Sequence, residues 1–275
     1  MTTAIRLHQS IAAEIINRSP LHGWHKAFKK EPEAYDARTT LGQIAHSMIL
    51  GGKDIVAIDA KDWRTSAAKE ARDAAILAGK LPILKERLIE VRKLVDDVNG
   101  FMVEHGIESG IDETTIQWET PSGIPCEGRL DRWIPKRNLI VDFKFCESAH
   151  KKVCESKFIQ FGYDIQFAAY TQAIETIHPE LAGRVDMKFV FIEVDPPNAM
   201  RIMPLAGSMK TCGQWRWGQA CDIWAACMEK YGPDNPWPSY SDSNEPAECP
   251  PWFMNQQMIQ EEMIQAGVIN DYADI

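Results

Sequence analysis

Residues 124–145, IPCEGRLDRWIPKRNLIVDFKF, decide the fold. In LIVDFKF (139–145), Val141, Phe143 and Phe145 alternate with Asp142 and Lys144. A period of two is the signature of a strand, with successive side chains on opposite faces. The segment before it, IPCEGRLDRWI (124–134), has the same pattern. Glu127, Arg129 and Asp131 share one face, and Cys126, Gly128 and Leu130 share the other. Pro-Lys-Arg-Asn (135–138) separates the two and suits a tight antiparallel connection. Each segment alone reads as a strand with a solvent face and a cross-strand ion pair. As neighbours, they bring Asp131 and Asp142 within reach of one metal. Two carboxylates forced together repel unless a cation lies between them.

Working outward, TIQWET (115–120) adds a third strand ahead of this pair, and the three form a meander. After it, the spacing predicts a helix over 157–177. A strand pair follows, MKFVFIEVD (187–195) and AMRIMPLA (199–206), then a helix over 208–230. Upstream the chain reads as helical. QSIAAEIIN (9–17) is one helix, closed by Ser19-Pro20, and TLGQIAHSMIL (40–50) is another, closed by Gly51-Gly52. A third covers the Ala-rich 65–78, and Pro82 is placed in the first turn of a fourth, over 82–104. A Pro-rich stretch (232–251) leads to a last helix over 252–266. The order implies an α/β (α+β) fold, with a central mixed sheet flanked by helices. We divide it into a domain over 1–231, helical over 1–110 with the motif core over 111–231, and an acidic Pro-rich linker with a C-terminal helix over 232–275.

The 275 residues are 45% hydrophobic and 25% charged, the balance of an ordinary globular chain. No apolar run is long enough to span a membrane. The start, MTTAIRLHQS, lacks the features of a secretory signal, so a cytoplasmic setting is expected. Seven scattered cysteines, with no CxxC pair, argue against a disulfide framework, a structural zinc or an iron–sulfur cluster. The net charge of −9 is concentrated after Lys230, where no Lys or Arg occurs. The body is near neutral, so charge neither supports nor excludes nucleic acid.

Mg²⁺ suits two carboxylates with few other protein donors, because it takes oxygen ligands and keeps room for water and phosphate. Phe143, whose side chain faces the core, adds only its carbonyl. Lys144 would orient a water or offset charge in phosphodiester hydrolysis. His46 flanks its apolar stripe, and as a ligand it would let Mn²⁺ substitute. Gln166 and Tyr170, one turn apart, would support the site. Glu119 and Glu127 are further carboxylates near it. Ser10, Arg18 and Ser19 are candidate phosphate contacts, with helix capping by the serines as the simpler account.

The order His46, GRLD ending at Asp131, Asp142-Phe143-Lys144 and Gln166-x-x-x-Tyr170 resembles the PD-(D/E)XK nuclease superfamily. It is similar in particular to RecE-type exonucleases (exodeoxyribonuclease VIII-like) and, more distantly, to the phage lambda exonuclease. LHQSIAAEIINRSPLHGW (7–24) and NPWPSYS (235–241) extend the likeness over most of the chain. The resemblance implies a restriction-endonuclease-like core. It implies an Mg²⁺-dependent 5′→3′ exonuclease on double-stranded DNA that leaves 3′ single-stranded tails. His46, Asp131, Asp142 and the Phe143 carbonyl would hold metal. Lys144 would be catalytic with Asp131 and Asp142, supported by Gln166 and Tyr170. It further implies a homo-oligomeric ring (trimer or tetramer), a single-strand annealing protein as partner, and a role in recombination in a bacterial cell, of phage or prophage origin. The competing readings are a catalytically idle protein that binds DNA ends or recombination complexes, and a RecB-like nuclease with an iron–sulfur cluster.

Overall fold

The computed structural model describes residues 5–29, 37–240 and 246–266. In chain order come helices α1 (Gln9–Asn17), α2 (Pro20–Phe28) and α3 (Ala37–Leu50), strand β1 (Ile55–Ile58), helix α4 (Ser66–Leu77), strand β2 (Leu81–Leu84) and helix α5 (Lys85–Glu104). Strands β3 (Ile111–Glu119), β4 (Pro125–Ile134) and β5 (Leu139–Cys146) follow, then helices α6 (Lys151–Phe161) and α7 (Tyr163–Ile177). Strands β6 (Asp186–Glu193) and β7 (Met200–Pro204) and helix α8 (Gly207–Tyr231) complete the main unit, Met1–Ser239. A separate unit, Tyr240–Ile275, contains helix α9 (Pro251–Gln265).

The main sheet runs β3-β4-β5-β6-β7 and is mixed. β3, β4 and β5 form the expected antiparallel meander, β5 pairs parallel to β6, and β7 returns antiparallel. The β5–β6 pairing needs a crossover, which α6 and α7 provide.

At the centre of the sheet, on β5 and β6, neither face is open to solvent, whereas β3 keeps an exposed face through Thr115, Gln117 and Glu119. Ile140, Phe189 and Phe191 face a cluster built with Ile165 of α7 and Trp217 of α8. Val141, Phe143, Val190 and Ile192 face a second cluster, built with Ile44 of α3 and Val91, Leu94 and Val98 of α5. Each fully buried aliphatic or phenyl side chain contributes about 1.5–3 kcal/mol by leaving water. The solvent face expected for Asp142 is therefore covered by α7, and Asp142 is only 1% exposed.

Four elements differ from the sequence expectation, the first being strand β1 (Ile55–Ile58), which lies within the stretch expected to be helical. Pro82 lies in β2 rather than in a helix, paired opposite Val56 of β1. In a sheet of two strands both are edges, where a residue without an N–H costs no ladder bond. The apolar Leu81 and Ile83 on either side of Pro82 are both buried, so packing overrides the helix-start signal. The helix expected over 157–177 is two helices that meet at Gly162, whose φ of 70° is the left-handed conformation that ends α6. Finally, Ser19-Pro20 ends α1 but also starts α2, with Pro20 in its first turn.

Beyond α8 the chain is anchored to the main unit by Trp237. Trp237 is 2% exposed and donates to the Gly232 carbonyl at 2.9 Å. Trp24 donates to the Pro233 carbonyl at 2.8 Å. No described helix is long and apolar enough to cross a membrane.

Candidate active site

The site begins with a break in the β3–β4 ladder. Thr114 pairs with Leu130 and Asp112 with Arg132, but the pairing skips Glu113 and Asp131. Glu113 has a φ of 52°, a conformation an L-residue adopts only under local constraint. The strand changes face here. Leu130 packs in the α7–α8 cluster and Ile134 in the α3–α5 cluster, although an even spacing should keep them on one side. Irregularities of this kind re-aim side chains, and they recur beside active sites.

Asp131 turns into the gap opened between β4 and β5. Its Oδ2 accepts from the Phe143 amide at 2.8 Å and lies 3.2 Å from His46 Nε2. His46 Nδ1 lies 3.4 Å from Glu113 Oε1. α3 carries His46 to this point by packing on β5, with the His46 and Phe145 rings edge to face at 6.5 Å. Ligand atoms of His46, Glu113 and Asp131 all lie within 4.8 Å of one another. The N–H and C=O of one strand residue point the same way, so the Phe143 carbonyl is directed at the same gap.

Behind this group, Asp142, Lys144 and Gln166 close a ring of contacts. Gln166 Nε2 donates to Asp142 Oδ1 at 2.5 Å, and Lys144 Nζ donates to Gln166 Oε1 at 3.0 Å. Lys144 Nζ lies 2.7 Å from Asp142 Oδ2. That last contact is an ion pair without hydrogen-bond alignment, so Asp142 Oδ2 is a buried acceptor with no hydrogen-bond partner among the described residues. An orphaned carboxylate oxygen inside a protein is costly. The Lys144 ammonium offsets part of that cost by charge, and a metal cation on the remaining lone pair would offset more. The two carboxylates and one imidazole that the structure brings together, with Asp142 and the Phe143 carbonyl beside them as further oxygen donors, fit a hard divalent ion.

The electrostatics have the same sense. Burial raises the Asp142 pKa and the Asp131 charge raises it further, against the opposing pull of Lys144 and Gln166. Burial works against the Lys144 ammonium, but Asp142, Tyr163 and Asp131 outweigh it and hold Lys144 charged, its pKa raised. Burial also lowers the His46 pKa. The hydrogen bond and charge of Asp131, with Glu113 and Asp142, outweigh burial and leave the His46 pKa raised. Burial raises the Glu113 pKa against the charges of His46 and Arg129. Without metal, the site therefore favours bound protons.

Tyr170 does not reach the cavity. It is 4% exposed, and burial, with the charge of Asp142, pushes its phenol up to about 12. Its ring packs on Gly128, where an added Cβ would meet the ring at 2.5 Å. The glycine of GRLD thus lets α7 approach β4 closely.

The site opens into a cavity of about 680 Å³, lined by His46, Glu113, Arg129, Asp131, Lys157 and Tyr163 among others. Several expected contributors lie elsewhere. Glu127 is held by Gln117 Nε2 at 2.6 Å, four residues and roughly 13 Å along the strand from Asp131. Glu119 is exposed at the end of β3, opposite Pro125. Ser10 lies inside α1, whose capping position is His8, so it caps nothing. Ser19 stands at the capping position of α2, yet its hydroxyl bonds His22 Nδ1 at 2.7 Å instead of the backbone. Arg18 pairs with Glu14 at 3.3 Å. None of these five lines the cavity.

Glu113 was missed by the sequence reading. In IDETT (111–115) it looks like one acid of a polar strand start, and only the ladder break turns it to His46.

A family described as "PDDEXK-like domain of unknown function (DUF3799)" matches residues 24–210. Among solved structures, a "Putative exonuclease" from Eubacterium rectale is similar with a TM-score of 0.59 and 13% identity, over 92% of this chain and 92% of that one. A phage-related exonuclease from Haemophilus somnus 129PT has a TM-score of 0.36 and 14% identity, over 82% of this chain and 96% of that one. No curated protein matches the chain. At these identities the first of the two structures speaks for a shared fold.

Proposed function

Since the chain belongs to the PDDEXK-like family DUF3799, with residues 24–210 matched, we propose that it is a metal-dependent exonuclease acting on double-stranded DNA ends. The observation that carries this reading is the orphaned Asp142 Oδ2, buried beside Lys144 and behind the His46–Glu113–Asp131 group. A buried acid whose pKa is raised, with a specific charge partner and lying behind the residues that line a cavity, marks a candidate functional site.

His46, Glu113, Asp131, Asp142 and the Phe143 carbonyl are the residues that would hold the ion. Mg²⁺ is the natural choice, and the imidazole lets Mn²⁺ substitute. When bound, it would supply Lewis acidity toward a phosphate oxygen and acidify a bound water.

The protein's own residues do the rest. Lys144 stays cationic, because Asp142 and Gln166 hold its ammonium. One of its three donors is committed to Gln166, which leaves the others for a water or a phosphate oxygen. Gln166 fixes both partners, so the amine and the carboxylate are oriented before substrate arrives, which is the electrostatic preorganisation catalysis needs. Asp131 is oriented by the Phe143 amide. Arg129, at the rim and paired with Glu113, is placed to meet a phosphate.

Digestion runs 5′→3′ in this reading and leaves a 3′ tail for a single-strand annealing partner, in phage or prophage recombination. A ring of three or four copies belongs to the same reading. The name of the first structural neighbour, a "Putative exonuclease", lends support to exonuclease activity alone. The test uses linear and circular duplex, with Mg²⁺ and with chelator. Linear DNA should be degraded only with Mg²⁺, with the 5′-labelled nucleotide released first, and circular DNA should survive. Binding without any cleavage would favour an idle end-binding protein instead.

A further inference from the structure

Phe161, the last residue of α6, is 50% exposed, yet it lines the cavity. It is the outer member of a ladder of three rings. Buried Phe189 stacks with Tyr163 at 5.7 Å and 21°. Tyr163 in turn lies 5.8 Å and 30° from Phe161. The ladder has a fixed position relative to the chemistry, because Lys144 Nζ lies 4.5 Å from the Tyr163 ring centre. Its free end is the outer face of Phe161.

One helical turn earlier on α6, Lys157 lines the same cavity. It forms no ion pair with any described residue, unlike Arg129 across the cavity, which is paired with Glu113. An uncommitted ammonium beside an exposed ring, both facing a site of clustered carboxylates, needs a ligand with an anionic and a flat apolar part. A nucleotide has both. Aromatic stacking holds a base of any sequence, and a lysine holds its phosphate as a point charge. A base inside a duplex has both faces covered by its neighbours, so the ligand must be a base at the end of the strand.

We propose that Phe161 and Lys157 form a nucleotide subsite, in which the ring stacks on the terminal base of the strand being cut and the ammonium takes its phosphate. The subsite rests on the nuclease reading above. It extends that reading by naming the residues against which the terminal nucleotide of the cut strand rests.

The full chain is titrated, with Ca²⁺ replacing Mg²⁺, against a linear duplex whose 5′-terminal base is unpaired 2-aminopurine. Binding should quench the fluorophore with the wild type and with Phe161→Trp, but not with Phe161→Leu. Phe161→Leu should weaken binding on the order of tenfold. An abasic terminal nucleotide should weaken the wild type by a similar factor and leave Phe161→Leu unchanged. Lys157→Gln should lower the slope of log affinity against log salt by about one. Equal quenching by wild type and Phe161→Leu, equal sensitivity of both to the abasic end, or an unchanged slope in Lys157→Gln would overturn the subsite. If these fail while the wild type still digests duplex with Mg²⁺, the subsite alone is wrong. If the wild type neither binds nor digests DNA, the nuclease reading fails and the subsite with it.

Discussion

Asp142 and Lys144 stand two residues apart on β5, and their charged ends meet at 2.7 Å while both side chains are largely enclosed. A buried ion pair of this sort is no gift to stability, because desolvation of both ions offsets most of their attraction. Here one carboxylate oxygen also lacks a hydrogen bond. The arrangement is strained for folding and suited to binding a cation.

The first prediction concerns that oxygen. Asp142→Asn keeps the shape and can keep the Gln166 contact, but removes the charge a metal needs. We expect DNA degradation to fall roughly a thousandfold or more, which corresponds to several kcal/mol of lost metal assistance. The far-ultraviolet spectrum should not change. Wild-type digestion rates in the purified variant would refute the assignment of Asp142.

Lys144→Ala separates the roles of the pair. It removes the amine but leaves every metal donor, so calorimetry above neutral pH should still register metal uptake. Turnover should fall by roughly two to three orders of magnitude. Metal uptake and turnover that fall together near neutral pH and both return at high pH would instead mean that Lys144 acts by keeping Asp142 ionised.

The pKa directions set a pH dependence with a definite sign. Asp142, Glu113 and His46 are all raised in the folded protein. The folded state then binds more protons than the unfolded chain, and stability falls as pH rises. For the two acids, the loss starts at the ordinary carboxylate range and ends at their raised folded values. For His46, stabilisation is complete below its ordinary value and is lost as pH rises through the raised one. Lys144 is also raised, but its contribution disappears only in strongly alkaline solution. Chelator-treated protein should therefore melt at lower temperature as pH increases between about pH 5 and pH 8. Mg²⁺ should restore more of the melting temperature at the upper end, with proton release on binding. A metal-free melting temperature that climbs across this window by an amount the His46→Gln/Asp142→Asn double variant does not alter would contradict the shifts.

Glu113 shows where sequence reading stops. Asp131, Asp142, Lys144 and Gln166 were legible because strand period, a short hairpin and one helical turn are local rules, and each acts within a few residues. The same alternation, carried through Asp131 as if the strand were regular, grouped Glu127 with the site. It could not foresee that the ladder skips Glu113 and Asp131. That irregularity depends on clusters packed on both faces of the sheet, and no local pattern records it. Pro82 misled for a related reason, since burial of Leu81 and Ile83 overrode its preference for a helix start. The prediction that follows is that Glu113→Gln should weaken metal binding roughly ten- to a hundredfold, within the range seen when a supporting carboxylate is removed. It also frees Arg129, so metal-free DNA binding should hold or tighten. Unchanged metal affinity would mean that Glu113 serves only to anchor Arg129.

Gly128 links the fold to the chemistry, and its prediction uses a pair of substitutions. A methyl group there would meet the Tyr170 ring at 2.5 Å. The ring cannot retreat, because it is buried on α7 within the main cluster. Gly128→Ala must push α7 away from β4, and Gln166 sits one turn from Tyr170 on that helix. The cost in stability should be about 1–3 kcal/mol, as for other overpacked cores. Activity should fall further than stability does, because Gln166 leaves both Asp142 and Lys144. Tyr170→Leu creates room at the same spot, so adding it to Gly128→Ala should recover part of the denaturant midpoint, a coupling that a double-mutant cycle measures directly. If the two effects simply add, the contact between β4 and α7 is not what places Gln166.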